Sequence, residues 1–349
     1  MPMQAAGKTG GISGELKPDA ATRIETIEMH TGGEPVRIVT AGYPPIPGRD
    51  ILEKRRHARD RLDAFRRLIM FEPRGHYDMY GVLPVEPDLP GADMAVLFVH
   101  NEGYSTMCGH ATIALGRYAL DRGLIKADAQ GVARLKLQCP CGLVEVDVTA
   151  DGPEKGRVSF VSVPAFAFAL DREVDVDGRK VTLDIGYGGA FYAFLQAAAF
   201  GLDVRRSHTR DLVAAASAVT EAVKAQVPLS HPDDADLAFL YGTILTDGGD
   251  GKDAPTANIC VFAADEVDRS PTGSGVTARL ALMAARNQVG IGAWRRFESV
   301  TGSIFEGRVA ANLAAGAIRA EVAGRAYYTG SSVFTVDADD PLAGGFLLR

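Results

Sequence analysis

The stretch YSTMCGHATIALGRY, Tyr104 to Tyr118, sets a cysteine, a glycine and a histidine ahead of a run of small apolar residues. About half the chain further on, DRSPTGSGVTARLALMAAR (Asp268 to Arg286) repeats the layout, with Thr272 where the first stretch has Cys108. In GHATIALGRYALDRG and GSGVTARLALMAARNQ, Ala, Leu, Ile, Val and Gly fill most of the helical circumference. A helix that is apolar nearly all round belongs inside something. The rest of the chain from Ile24 onward is strand-rich, with β-branched or alternating runs such as IETIEMHTGGEPVRIVT, ARLKLQCPCGLVEVDVTA and TANICVFAADEVDRSP, bounded by Gly, Pro or Asp. The expected container is therefore a curved, barrel-like sheet around each helix. One α/β unit duplicated, with a cleft between the copies, accounts for the spacing.

Composition narrows the function classes. The 349 residues suffice for one large domain or two medium ones with ample core. With 37 Lys and Arg against 44 Asp and Glu the net charge is −7, which argues against a nucleic-acid partner. The basic run EKRRHARDRLDAFRR is interleaved with acids and reads as a solvated helix. The windows AFRRLIMFEP and DLVAAASAVTEAVKAQ have helical spacing with polar faces. No run approaches the about 18 apolar residues of a membrane span. The first 21 residues lack the apolar core of a secretory signal and read as a disordered leader. Four cysteines form no disulfide framework, and a cytoplasmic location fits. Cys139, Cys141 and Cys260 read as buried strand cysteines, without metal-ligand spacing.

The helix starts carry the chemistry. Their glycines let a ligand approach closely, and their first backbone N–H groups have no intrahelical partner. Such ends attract anions, and two facing one cleft would clamp a carboxylate. Cys108 sits at the first of them, where its thiol is expected to fall below its free value of about 8.5 and rest as the thiolate. A thiolate in a dry pocket serves either as nucleophile or as Brønsted base. The nucleophile needs an activating His, and His110, within the same turn, is better placed to touch substrate than to activate Cys108. The base needs only a carbon acid and a sink for the developing charge. Asp268 reads equally as a turn acid before Ser-Pro-Thr-Gly and as an acceptor for a substrate ammonium. His30 and His76 read as structural hydrogen-bonders. TDGGDGKDAPT fits neither a phosphate loop nor a calcium loop and reads as a hairpin loop.

The segments MHTGGEPVRIV, EPRGHYDMYGVLPVEPD, LFVHNEGYSTMCGHATIALGRYAL, GGAFYAF and DRSPTGSGVTARLAL together resemble the proline racemase superfamily over nearly all of the chain from Ile24. The resemblance implies an α+β fold of two pseudo-symmetric, diaminopimelate-epimerase-like halves, each a β-barrel-like sheet around a central apolar helix. The expected limits are 22–184 plus 335–349 for the half carrying Cys108 and 185–334 for the half carrying Thr272. It also implies an active site between the halves that uses no metal and no pyridoxal phosphate. Racemases and 4-hydroxyproline epimerases of the superfamily place a cysteine on each face of Cα. Here the first maps to Cys108 and the second position is Thr272. An aliphatic alcohol is too weak an acid to return a proton to a carbanion near neutral pH. One competent base suits an elimination, and the Cys/Thr pair is similar to that of trans-3-hydroxy-L-proline dehydratases. The implied reaction removes the Cα proton with Cys108 and expels the C3 hydroxyl as water, giving pyrroline-2-carboxylate. The N–H groups of Gly109, His110, Gly273 and Ser274 would bind the carboxylate, and Asp268 the ring nitrogen. Thr272, His110 or a water would protonate the hydroxyl. The alternative is 4-hydroxyproline epimerisation or proline racemisation. Ala190 departs from the Asn of relatives, which puts a substrate contact there in doubt. The expected partner is a small-molecule hydroxyproline, with neither nucleic acid nor membrane and with a homodimer allowed.

Overall fold

The computed structural model describes residues 14–348. Eleven elements make the first run: β1 (Arg23–Thr31), β2 (Glu34–Ala41), α1 (Ile51–Arg61), α2 (Asp63–Met70), β3 (Tyr80–Val85), β4 (Met94–His100), β5 (Tyr104–Ser105), α3 (Gly109–Asp121), β6 (Val132–Cys139), β7 (Gly142–Thr149) and β8 (Val158–Val161). The second run is β9 (Phe166–Val176), β10 (Arg179–Tyr187), β11 (Phe191–Gln196), α4 (Thr209–Gln226), β12 (Leu240–Thr246), β13 (Thr256–Phe262), β14 (Glu266–Asp268), α5 (Gly273–Ala285), β15 (Arg295–Glu298), β16 (Ile304–Asn312) and β17 (Ile318–Gly324), followed by β18 (Ala326–Thr335).

The strand pairings reveal the duplication directly. β1–β2 is an antiparallel hairpin, β2 runs parallel to β3, β3 pairs antiparallel with β4, and β4 runs parallel to β6, which continues antiparallel through β7 to β8. β10–β11, β11–β12, β12–β13, β13–β15, β15–β16 and β16–β17 repeat that sequence of pairings in the same order and sense. α3 and α5 occupy the same place in each copy, and α1–α2 correspond to α4. β18 pairs antiparallel with β1 as β9 does with β10, and β8 pairs with β17 to join the halves.

The α+β architecture of two barrel-like halves is thus the observed one. α3 packs on β1, β2, β6, β7, β8 and β18, and α5 on β9, β10, β11, β16 and β17. Every residue of α5 from Gly273 to Met283 is buried. A Cβ at Gly116 of α3 would meet Val158 and Val146 at 2.8 and 2.9 Å, so only a glycine lets the helix lie that close to the sheet.

The pairings move the expected borders. Position 184/185 falls inside β10, and β18 is bonded to β1 along its length. The chain therefore crosses between halves at residues 162–165 and again at Arg325. The first half takes its outermost strand, β18, from beyond the second crossover, whereas the second half opens on its own β9, which a count of strands from the motifs does not reveal. Of the expected leader, residues 1–13 lie outside the described residues, while Leu16 N–H donates to Arg61 O at 2.8 Å and Glu15 accepts from Ala64 N–H.

The basic run is not one solvated helix. Leu62 breaks it, and two of its cations are buried. Lys54 donates to Glu86 O at 2.8 Å, and Arg66 to the carbonyls of His100 and Asn101. Buried cations need such acceptors, and these two tie α1–α2 to the segments flanking β4. TDGGDGKDAPT is the β12–β13 connection, as expected.

Candidate active site

The two core helices meet end to end. A Cβ on Gly109 would stand 2.5 Å from Gly273 Cα, and one on Gly273 would stand 2.7 Å from Gly109 Cα. Gly109, His110, Gly273 and Ser274, at helix starts whose N–H groups have no intrahelical partner, line one cavity together with Cys108, Asp268 and Thr272. All the residues singled out for the site on the sequence are therefore together. The cavity is tight, about 10 Å³, the room for one water.

Cys108 is the N-cap of α3 in extended backbone, and its Sγ accepts from Ala111 N–H at 3.3 Å. Sγ also lies 3.1 Å from His110 Nδ1. His110 thus contacts Cys108 and also lines the cavity. Burial holds His110 down to about 3, so the imidazole is neutral. The thiol departs from expectation. Burial pushes it well above its usual value, outweighing the Ala111 N–H that favours the thiolate, and Asp268 adds to the rise. In this closed site the thiol is the resting form, because losing water costs a thiolate more than the helix end returns.

The opposite helix start is built differently. Thr272 has φ 64°, unusual for a β-branched residue, and its side chain does not cap α5. Its Oγ1 is buried without a hydrogen-bond partner of normal geometry, though it is near enough to favour the ionised form of Asp268. The turn is held by Ser270 N–H donating to Asp268 at 2.7 Å and by Thr272 N–H donating to Ser270 Oγ at 3.1 Å. Burial raises Asp268 to about 6. Its Oδ2 lies 4.0 Å from His110 Nδ1.

The walls are what the sequence reading missed. Tyr80, Met107, Tyr192, Tyr241 and Phe262 line the cavity. Tyr192 O–H is within 2.7 Å of Ser274 Oγ, and the Tyr80 ring meets His110 edge-on at 4.7 Å. These aromatics sit at strand starts and ends, where nothing separates them from ordinary core residues until the topology brings them together. Glu34, inside the quoted MHTGGEPVRIV, was also passed over. It is fully buried and accepts Arg269 N–H at 2.7 Å from across the cleft, bracing the turn between Asp268 and Thr272. His30 and His76 lie outside the cavity. His30 accepts from Gly33 N–H and stacks on Tyr327, and His76 contacts the carbonyl of Tyr77. Ala190 is buried but does not line the cavity. Cys139 and Cys260 are buried in strands, while Cys141 is half-buried in the β6–β7 turn. Among the described residues no group of three His, Cys, Asp or Glu is arranged to hold a metal.

Comparison with known proteins follows the same lines. A family model described as Proline racemase matches residues 26–347. The chain is 55% identical over 341 residues to the trans-L-3-hydroxyproline dehydratase of Xenopus tropicalis, covering 96% of this chain and 98% of that one. It is 56% identical to the trans-3-hydroxy-L-proline dehydratase of Homo sapiens, covering 93% and 95%. The 3-hydroxyproline 2-epimerase of Burkholderia multivorans is 43% identical, covering 93% and 98%. Among solved structures, a probable proline racemase from Agrobacterium radiobacter K84 with bound carbonate superposes with a TM-score of 0.86 at 27% identity, covering 93% of this chain and 96% of that one.

Proposed function

The chain belongs to the proline racemase family, and from that premise we propose that Cys108, alone opposite Thr272, drives the dehydration of trans-3-hydroxy-L-proline to pyrroline-2-carboxylate. The protein is a hydro-lyase of the trans-3-hydroxy-L-proline dehydratase type, as its relatives at 55% and 56% identity are. The observation that carries the assignment of roles is the asymmetry of the two helix starts, with a sulfur capping one and an uncapped alcohol at the other.

In trans-3-hydroxy-L-proline the hydroxyl lies trans to the carboxylate, and so on the same ring face as the Cα hydrogen. The substrate carboxylate sits on the N–H groups of Gly109, His110, Gly273 and Ser274, where the helix ends stabilise the charge that builds up as Cα loses its proton. Asp268 takes the ring ammonium. That pairing offsets one of the charges raising the Cys108 thiol and so favours its active thiolate. Cys108 accepts the Cα proton, the C–H electron pair becomes the Cα–Cβ double bond, and the C3–O bond breaks. Because the leaving oxygen shares the face of Cys108, the adjacent Cys108–His110 pair hands it a proton, and water departs. The enamine then tautomerises to the imine. Thr272 on the far face returns no proton, so elimination prevails over inversion.

The test is incubation with trans-3-hydroxy-L-proline and detection of pyrroline-2-carboxylate, with Cys108→Ser as the inactive control. Epimerisation, which the 43% identical relative makes the second reading, would show as deuterium at Cα of an inverted hydroxyproline. We assign the protein to the cytoplasm with hydroxyproline as its small-molecule partner, alone or as a homodimer. Among the described residues no helix is long and apolar enough to cross a membrane.

A further inference from the structure

With room for about one water, the catalytic cavity admits no prolyl ring as it stands, so part of its wall must move. The seam between the halves differs on its two sides. On one side, the start of β3 meets the β13–β14 turn through a set of hydrogen bonds. Tyr77 O–H donates to Ala264 O, and Asp78 accepts Val267 N–H at 3.0 Å and the Arg269 guanidinium at 3.3 Å. Glu34, fully buried, accepts Arg269 N–H beside them. The pseudo-symmetric junction sets the start of β12 against the β4–β5 turn, where Glu266 reaches across, to His100 Nδ1 at 3.2 Å and Glu102 N–H at 3.3 Å, and the space beside that contact is not filled. There a cavity of about 460 Å³ opens, lined by Gly103 and Tyr104 of one half and by Val227, Leu229, Ala238 and Phe239 of the other.

Two further features single this cavity out. Tyr241 lines both it and the catalytic cavity, and three other cavities of comparable or larger size share no lining residue with the catalytic one. Two residues before its lining Ala238, Asp236 pairs with Arg56 of α1 at 2.6 Å across the halves, and both side chains are more than a third exposed. Exposed pairs of this kind hold little, about 0–1 kcal/mol. The rim also carries charges of both signs, Glu102 and Lys224, which suits a zwitterionic imino acid in transit.

We propose that this cavity is the mouth of the active site: the imino acid enters and the product leaves through it, with Tyr241 as the movable partition and the Asp78–Arg269–Glu34 side as the hinge. The inference rests on the reading of Cys108 as lining the substrate cavity, and the Tyr241 ring stands between the two cavities, with His100 edge-on at 5.9 Å as its ring neighbour on the mouth side and open space beside it. On the inner side it stacks on Phe262 at 5.1 Å.

Alkylation of Cys108 by iodoacetamide, followed by peptide mass spectrometry, tests the route without reference to any substrate. Cys139 and Cys260, both fully buried, report on unfolding in the same experiment. Ala238→Trp, which fills the mouth, should slow Cys108 alkylation by about tenfold and lower kcat/KM to a similar degree. Tyr241→Ala should speed Cys108 alkylation by about tenfold while Cys139 and Cys260 stay protected. If Ala238→Trp does not fold, the Tyr241→Ala arm decides. Unchanged Cys108 alkylation in the folded variants overturns the proposal, as does acceleration by Asp78→Ala where Tyr241→Ala has none, since entry would then lie on the bonded side. Gated alkylation in a protein that fails to turn over trans-3-hydroxy-L-proline would sink the substrate assignment and leave the route standing.

Discussion

Gly273→Ala tests whether the contact between the two helix ends is the device that builds the site. The added Cβ would lie 2.7 Å from Gly109 Cα and 3.3 Å from Phe160 Cζ. Carbon atoms in contact sit about 3.5–4.0 Å apart, so the helix ends must separate by roughly 1 Å. Neither neighbour can yield alone, because one is backbone and the other is the ring of a fully buried phenylalanine. Overpacking of this kind costs about 1–3 kcal/mol, which a chain of this size survives with a lowered Tm. Function should suffer more. The four N–H groups proposed to bind the carboxylate come in pairs from the two helices, and a displacement of about 1 Å costs on the order of 10²-fold in rate. The assay is kcat/KM for pyrroline-2-carboxylate formation beside the thermal midpoint. Gly290→Ala, whose Cβ would meet nothing within 4 Å, is the control. A Gly273→Ala protein that keeps full kcat/KM would show that the helix ends are not the carboxylate clamp.

Other outcomes follow from the charges. Asp268 binds its proton more tightly when folded, with a value of about 6 against an ordinary 3.8, so the stability it contributes is present below 3.8 and is lost as pH rises through 6. Above that range its buried charge costs on the order of 2–3 kcal/mol. Asp268→Asn, which keeps an acceptor for Ser270 N–H, should therefore raise Tm at pH 8 but not at pH 4, while activity falls; an unchanged Tm at pH 8 would contradict the burial argument. In the free protein, Cys108 alkylation should keep rising with pH beyond 9, because burial holds the thiol up; a plateau near neutrality would mean the helix end prevails after all. Thr272→Cys supplies an acid on the second face and should bring deuterium into Cα of hydroxyproline in heavy water, whereas exchange by the unmodified protein at the same rate would void the one-base scheme.

The fold was legible because its strongest signals are local. A helix apolar all round has only an interior to occupy, and two of them with matching glycine starts imply two containers. The return of β18 to β1 was not legible, because a strand's partner is set by the register and twist of the finished sheet rather than by its own residues. The gathering of polar residues in one cavity was readable for the same local reason: Cys108, His110, Asp268 and Thr272 lie within a few residues of a helix start. Their electrostatics were not. The fall expected for Cys108 came from the helix end, a local property, but the rise comes from enclosure by Tyr80, Tyr192, Tyr241 and Phe262, which arrive from four different strands. Burial was likewise hidden at Lys54 and Arg66, whose acceptors lie on segments distant in sequence.

Thr272 is the residue that structure alone explains least. Its positive φ costs about 1 kcal/mol or more, and its hydroxyl is buried with no partner of normal geometry. At the equivalent cap Cys108 has extended backbone and satisfies Ala111 N–H, so the fold does not require the strain. The turn around Thr272 is instead over-determined from outside, by Glu34 gripping Arg269 N–H, by Asp268 holding Ser270 N–H and by Ser270 holding Thr272 N–H. In the other hairpin tip the position matching Glu34 is Ala190, since Thr31-Gly32-Gly33-Glu34 aligns with Tyr187-Gly188-Gly189-Ala190, and an alanine side chain grips nothing there. The duplicated fold thus carries Glu34, a cross-cleft carboxyl with no counterpart at Ala190, on the side where the second cysteine is missing. That makes sense if the side chain at 272 must be held as a fixed, non-ionising cover over the far face of the ring. An unheld turn would let water reach that face and reprotonate the carbanion before the hydroxyl departs.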